Sequence, residues 1–231
     1  MNILFLSLWL VHTGISGFKH VRKIPLVFFP DTVLQGIVLS VAAVWAWNQA
    51  LLTRYIWSPF DISLGIVTGH VLFFFALLIT HRQPGDVFRL FLSFRDIFRF
   101  VARAPLLCVR LLGLCLVEEL VYRVAGQSIL IQLLPASWLA VILTAVFFSV
   151  MHGHFFRSGW VSAIEFFLFS MAIGTLYAFT WSISIVVFVH FIRNLESTYL
   201  DYVSLVQDGI APEDAVKTIE NSQNNLVLEA S

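Results

Sequence analysis

Three short runs of this sequence carry groups capable of acid–base chemistry inside otherwise apolar stretches. They are Glu118-Glu-Leu-Val-Tyr-Arg123, Phe148-Ser-Val-Met-His152 and His190-Phe-Ile-Arg-Asn194. On a helix, Glu119 and Arg123 are i, i+4 and share a face, as do Phe148 with His152 and His190 with Asn194. Glu118, about 100° around the helix from Glu119, points elsewhere. A carboxylate in a low-dielectric site becomes a stronger base, suited to taking a proton from water near neutral pH. An imidazole and an amide on one helix face are competent donors to a developing negative charge. No Ser or Cys has a similarly placed base, which favours activated water over a covalent nucleophile.

One Glu and two His also make the ligand count of a catalytic zinc site. The H-E-x-x-H helix signature is absent, however, and His152 and His154, two apart on a continuous helix, would diverge. On the residues alone zinc stays an open reading, and no other cofactor is expected. Glu165 is expected to pair with a nearby base such as Arg157 or Arg110. His12, His20, His70, His81 and His154 show no pairing pattern and read as structural or interfacial. Cys108 and Cys115 lie seven apart on one helix face, too far along it to bridge, and read as buried apolar-type residues.

The elements that must position these groups follow from composition. Of 231 residues, 59% are hydrophobic and 12% charged, with 23 Phe, 7 Trp and a mean hydropathy of +0.87. That excess of apolar residues excludes an ordinary soluble domain, a disordered chain, a collagen-like repeat and a disulfide scaffold. The expected fold is all-α: a polytopic membrane protein of about seven transmembrane helices around a polar intramembrane cavity. Apolar runs over 2–16, 33–52, 62–80, 104–134, 136–156, 160–180 and 182–200 supply the spans. No basic leader or cleavage site marks a signal peptide at the start.

Charge sorts the loops. Lys19, Arg22 and Lys23 precede the second span, and Arg82, Arg89, Arg95, Arg99 and Arg103 follow the third. Two spans separate these clusters, so both fall on one side, which the positive-inside rule makes cytoplasmic. Residues 87–103 read as a helix lying in the headgroup region, with Val87, Phe91, Phe94, Phe98 and Val101 on its apolar face. Six acids against Lys217 alone give residues 201–231 a net charge of −5, balanced by +5 in the first 200. This segment is expected to be a solvated, flexible cytoplasmic tail behind a membrane domain of residues 1–200.

Depth permits the three runs to converge. Glu118 precedes Pro135 by 17 residues and His152 follows it by 17, so a helical hairpin turning at Pro135 sets both roughly 25 Å from the turn. His190 and Asn194, counted from a turn near Ser182, fall roughly 12 and 18 Å deep. That leaves them one to two turns out of level with the other pair.

The three runs fit E-E-x-x-x-R, F-x-x-x-H and H-x-x-x-N. In this order, on three separate spans, they resemble the CAAX protease and bacteriocin-processing (CPBP, or Abi) family of intramembrane proteases, over roughly residues 104–200. The resemblance implies that Glu118 and His152 activate a water for attack on a peptide carbonyl. It implies that His190 and Asn194 stabilise the oxyanion, while Glu119, Arg123 and Phe148 support the site. It further implies a metal-independent, glutamate-type endopeptidase in a bacterial inner membrane, acting on a membrane-associated peptide or protein, with no nucleic-acid partner. Two other readings use the same residues. One is a non-catalytic immunity or chaperone-like protein binding a peptide in the cavity. The other is a proton-coupled transporter with Glu118 and Glu119 as a relay, against which stand the short chain and the lack of paired repeat halves.

Overall fold

The computed structural model describes residues 1–22, 29–51, 58–80, 84–153, 156 and 159–230. Lys23, His81, Arg82, His154 and Arg157, all invoked above, lie outside these residues. The described chain is helical, with no strand among the described residues. In order, the helices are α1 (Asn2–Arg22), α2 (Phe29–Asn48), α3 (Pro59–Thr80), α4 (Pro84–Ser93), α5 (Ile97–Arg103) and α6 (Pro105–Glu119). A π-helical segment, Leu120–Gln127, continues α6 and leads into α7 (Ser128–Leu133). Then come α8 (Ser137–Met151), α9 (Gly159–Thr180), α10 (Ile183–Gln207) and α11 (Pro212–Ala230).

Helices α3 and α9, each 22 residues, are long and apolar enough to cross a membrane. Each buries one stripe and exposes another. In α3, Gly65, Gly69, Phe73 and Leu77 face inward while Phe60, Val67, Val71 and Phe75 face out. In α9 the exposed set is Trp160, Ile164, Leu168 and Phe179. Large apolar side chains left outside in this way suit lipid rather than water. A third crossing is available if α5 and the α6–α7 stretch count as one bent span, and Val33–Asn48 and Ser137–Met151 are shorter apolar helices. Among the described residues, length and composition thus support two or three spans, and the expected seven are not confirmed. The chain's own polar groups are the reason in α10, which carries His190, Arg193, Asn194 and Glu196 in its middle turns.

The hairpin expected at Pro135 is present, since α7 ends at Leu133 and α8 starts at Ser137. The turn before α10 is also where the sequence placed it. Ser182 caps that helix, its Oγ accepting from the Ile185 amide at 3.4 Å and donating to Asp61 Oδ2 at 2.7 Å, which ties the cap to the start of α3. Side-chain oxygen capping of this kind satisfies an otherwise orphaned N–H.

Two expectations need correcting. The apolar face assigned to residues 87–103 does not run unbroken, because a 3₁₀ turn at Phe94–Asp96 separates α4 from α5 and resets the helical phase. Val87 and Phe94 pack into the protein interior, Phe100 replaces Phe98 there, and Phe98 is 81% exposed. The acidic segment is not a solvated appendage over its first part either. α10 runs on to Gln207, and Ala215, Val216 and Ile219 of α11 are buried in the same apolar cluster as Phe100, Tyr199 and Tyr202.

Helix α10 lies most closely against α3, and glycines make that approach feasible. A Cβ on Gly65 would stand 2.7 Å from the Ile185 carbonyl oxygen, and one on Gly69 would stand 2.8 Å from that of Val189. Small residues four apart are how helices come together where no water drives them to associate. This contact fixes the rotation of α10 and thereby the direction of its polar groups.

Candidate active site

The three motif runs meet. Glu118, at the end of α6, places Oε1 3.4 Å from His152 Nε2, just past α8, and Oε2 3.6 Å from His190 Nε2 on α10. Glu118 and His152 are thus level, as their equal distance from Pro135 in the sequence permitted. His190, expected one to two turns out of level, nonetheless reaches the same carboxylate.

Glu119 is fully buried and bonded on both sides. Its Oε1 lies 2.8 Å from His190 Nδ1, and its Oε2 accepts from Arg123 Nε at 3.3 Å. The π segment starts directly after Glu119. Its wider turn, with i→i+5 bonding, keeps every fourth residue nearly in column, so Glu119, Arg123 and Gln127 all turn toward the interior. There they meet α9 in matching steps. Arg123 Nη2 donates to Ser170 Oγ at 2.8 Å, Gln127 Nε2 donates to the Gly174 carbonyl at 2.7 Å, and Ser128 Oγ is 3.0 Å from Tyr177 Oη. A buried guanidinium needs both a counter-ion and hydrogen-bond acceptors, and Arg123 has the Glu119 carboxylate and Ser170.

Aromatic rings wall the cluster. Phe148 stacks on Phe166 at 5.3 Å between centroids, packs against His152 at 4.3 Å and meets His190 edge-on at 5.7 Å. Arg123 also lies over its face, 5.2 Å from the centroid. Phe148 thus lies between the two imidazoles and packs against both.

The tautomers follow from the partners. With the Phe148 carbonyl accepting from His152 Nδ1 at 2.9 Å, that ring presents Nε2 to Glu118. With Glu119 accepting from His190 Nδ1, that ring too presents Nε2 to Glu118. Asn194 lies a turn beyond His190, and its Nδ2 donates to Cys115 Sγ at 3.4 Å. Sulfur is a weak acceptor, so this amide remains competent toward a better one. Cys108 and Cys115 are both free and buried.

Reading the sequence missed several members of this region. Glu165 pairs with a base, as expected, and among the described residues that base is Arg193, whose Nη2 lies 3.0 and 2.9 Å from its two oxygens. Arg193 rests on Phe169, 4.5 Å from the centroid. His70 bonds Glu196 through Nδ1 and packs on Phe91. A basic residue inside H-x-x-x-N and an acid two positions after it were the available signals. His20, on α1, lies 2.9 Å from the Met151 carbonyl through Nε2, one residue before His152.

Among the described residues no group of three or more His, Cys, Asp or Glu has an arrangement able to hold a metal ion. No curated protein and no solved structure matches the chain. Apolar helices and the family comparison together indicate an integral membrane protein. Residues 100–195, which hold Glu118, Glu119, Arg123, Phe148, His152, His190 and Asn194, match the family described as type II CAAX prenyl endopeptidase Rce1-like, and this similarity to the CPBP family supports a protease.

Proposed function

We propose that the chain is an intramembrane endopeptidase in which Glu118 and His152 activate a water against a peptide carbonyl. The observation that carries this reading is the single carboxylate of Glu118, 3.4 Å from one imidazole and 3.6 Å from another. Both separations exceed an ordinary direct hydrogen bond and suit groups that share a third, smaller partner.

Charge balance supplies the proton inventory. Glu118 and Glu119 are two potential negative charges against one fixed positive charge, Arg123, while Glu165 is matched by Arg193. The proposed mechanism needs one further proton among Glu118, His152 and His190. Carried by His190, it leaves Nδ1–H donated to Glu119 and Nε2–H available to an oxyanion. Water loses a proton to the Glu118–His152 pair as its oxygen attacks the carbonyl carbon. The oxyanion is held by His190 Nε2–H and Asn194 Nδ2–H. On collapse the C–N bond breaks and the captured proton passes to the leaving amine.

The substrate is a membrane-associated peptide or protein, and no metal takes part. The test is processing of a membrane-anchored reporter peptide in vesicles holding the purified protein. Glu118→Ala and His152→Ala are expected to abolish cleavage, and a chelator is expected to leave the wild type unaffected. Cleavage unchanged in both variants would overturn the proposal, and persistent peptide binding without any wild-type cleavage would favour a non-catalytic binding protein.

A further inference from the structure

A second cavity lies away from the acidic–histidine cluster, between α5, the far half of α10 and the start of α11. It has a volume of about 480 Å³ and is lined by Asp96, Arg99, Phe100, Arg103, Tyr199 and Tyr202, among others. We propose that it binds the phosphodiester of an anionic lipid headgroup.

Its position is the first argument. α5 meets the α6–α7 stretch at 97° across Ala104, so a crossing α6 lays α5 along the membrane surface. Phe98 and Leu106 are exposed on either side of this corner, as apolar anchors at a lipid boundary would be. Tyr199 follows Asn194 by five residues, about 8 Å along α10, so the cavity is separate from the candidate active site yet shares its helix.

Its chemistry is the second. Arg99 and Arg103 are i, i+4 on α5, and guanidinium pairs are the preferred protein partners of phosphate oxygens. Asp96 Oδ1 lies 3.1 Å from Arg99 Nη1, and both side chains are exposed. Arg103 Nη1 donates to Tyr202 Oη at 3.0 Å, which leaves the phenol proton to donate onward. Among the described lining residues, two guanidiniums and one carboxylate give a charge of +1, the complement of a phosphodiester's single negative charge. Phe100 and the two tyrosine rings supply apolar walls for the glycerol side of the headgroup.

The experiment uses the full chain in detergent with short-chain phosphatidylglycerol as probe, followed by thermal midpoint and by native mass spectrometry. Glycerol 3-phosphate and inorganic phosphate form the soluble arms. Wild type is expected to bind phosphatidylglycerol saturably with a raised midpoint, and both soluble anions to bind at least about tenfold more weakly. The double variant Arg99→Gln/Arg103→Gln is expected to lose at least about tenfold in affinity. Asp96→Asn, which removes the competing carboxylate, is expected to bind more tightly; misfolding would not produce that gain, so this variant decides the matter if the double variant fails to fold. Equal affinity in all three proteins, or soluble phosphates binding as well as the lipid, would overturn the proposal.

Discussion

Glu119 and His190, 71 positions apart in sequence, are joined by a 2.8 Å contact between Oε1 and Nδ1 in which both side chains are almost wholly buried. This bond orients the imidazole, and the same carboxylate holds Arg123. Glu119→Ala strands Arg123 without its counter-ion, and loss of one partner from a buried pair costs about 3–5 kcal/mol. Thermal unfolding in detergent is expected to show that loss, with Glu119→Gln intermediate. An unchanged midpoint for Glu119→Ala would contradict the arrangement.

The α3–α10 contact makes a sharper steric prediction. Gly69→Ala adds a Cβ 2.8 Å from the Val189 carbonyl and 2.9 Å from Ile192 Cβ, whereas a Cβ on Gly113 meets nothing within 4 Å. Overpacking of this kind costs about 1–3 kcal/mol. Gly69→Ala is expected to lower both thermal midpoint and activity, because His190 rides on the displaced helix. Gly113→Ala is expected to be neutral or slightly stabilising, since alanine is the better helix former. Similar midpoints for the two variants would count against this packing.

How much of this was legible in the sequence depended on the range of the contact. The i, i+4 pairs and the hairpin at Pro135 are local, and they sufficed to bring Glu118 level with His152. The Arg193–Glu165 and His70–Glu196 pairs join different helices, and nothing in the spacing along one helix encodes such a partner. The π segment after Glu119 was equally hidden, since α and π turns differ by one hydrogen-bond step and Leu120–Gln127 contains no proline to mark it. The docking of α11 depends on Ala215, Val216 and Ile219. Their apolar stripe was masked by the acidic composition around it.

Buried pairs that span helices invite a double-mutant cycle. Glu165→Gln is expected to destabilise strongly when Arg193 is present and weakly in an Arg193→Gln background, giving a coupling of about 1 kcal/mol or more. Additive effects, read from thermal midpoints, would mean that the two side chains do not support one another.

Helix α1, outside the matched region, bears on the site through His20, which lies against the Met151 carbonyl and beside Gly153, where a Cβ would fall 2.6 Å from its ring. Under the proposed mechanism His20 is a positioning residue for the turn that presents His152. His20→Ala removes a hydrogen bond of about 0.5–1.5 kcal/mol, and kcat is expected to fall up to roughly tenfold with KM little changed. A rise in KM at constant kcat would assign His20 to substrate binding instead.

The most direct measurement compares kcat and KM for reporter cleavage by wild type and Glu118→Gln in vesicles containing only this protein. Glutamine keeps the shape and one acceptor oxygen, replaces the other with an NH2 donor, and cannot accept the proton of water. The expected result is a fall in kcat of about 10²–10⁴ with KM within about twofold. A Glu118→Gln protein that cleaves with wild-type kcat would contradict water activation by Glu118.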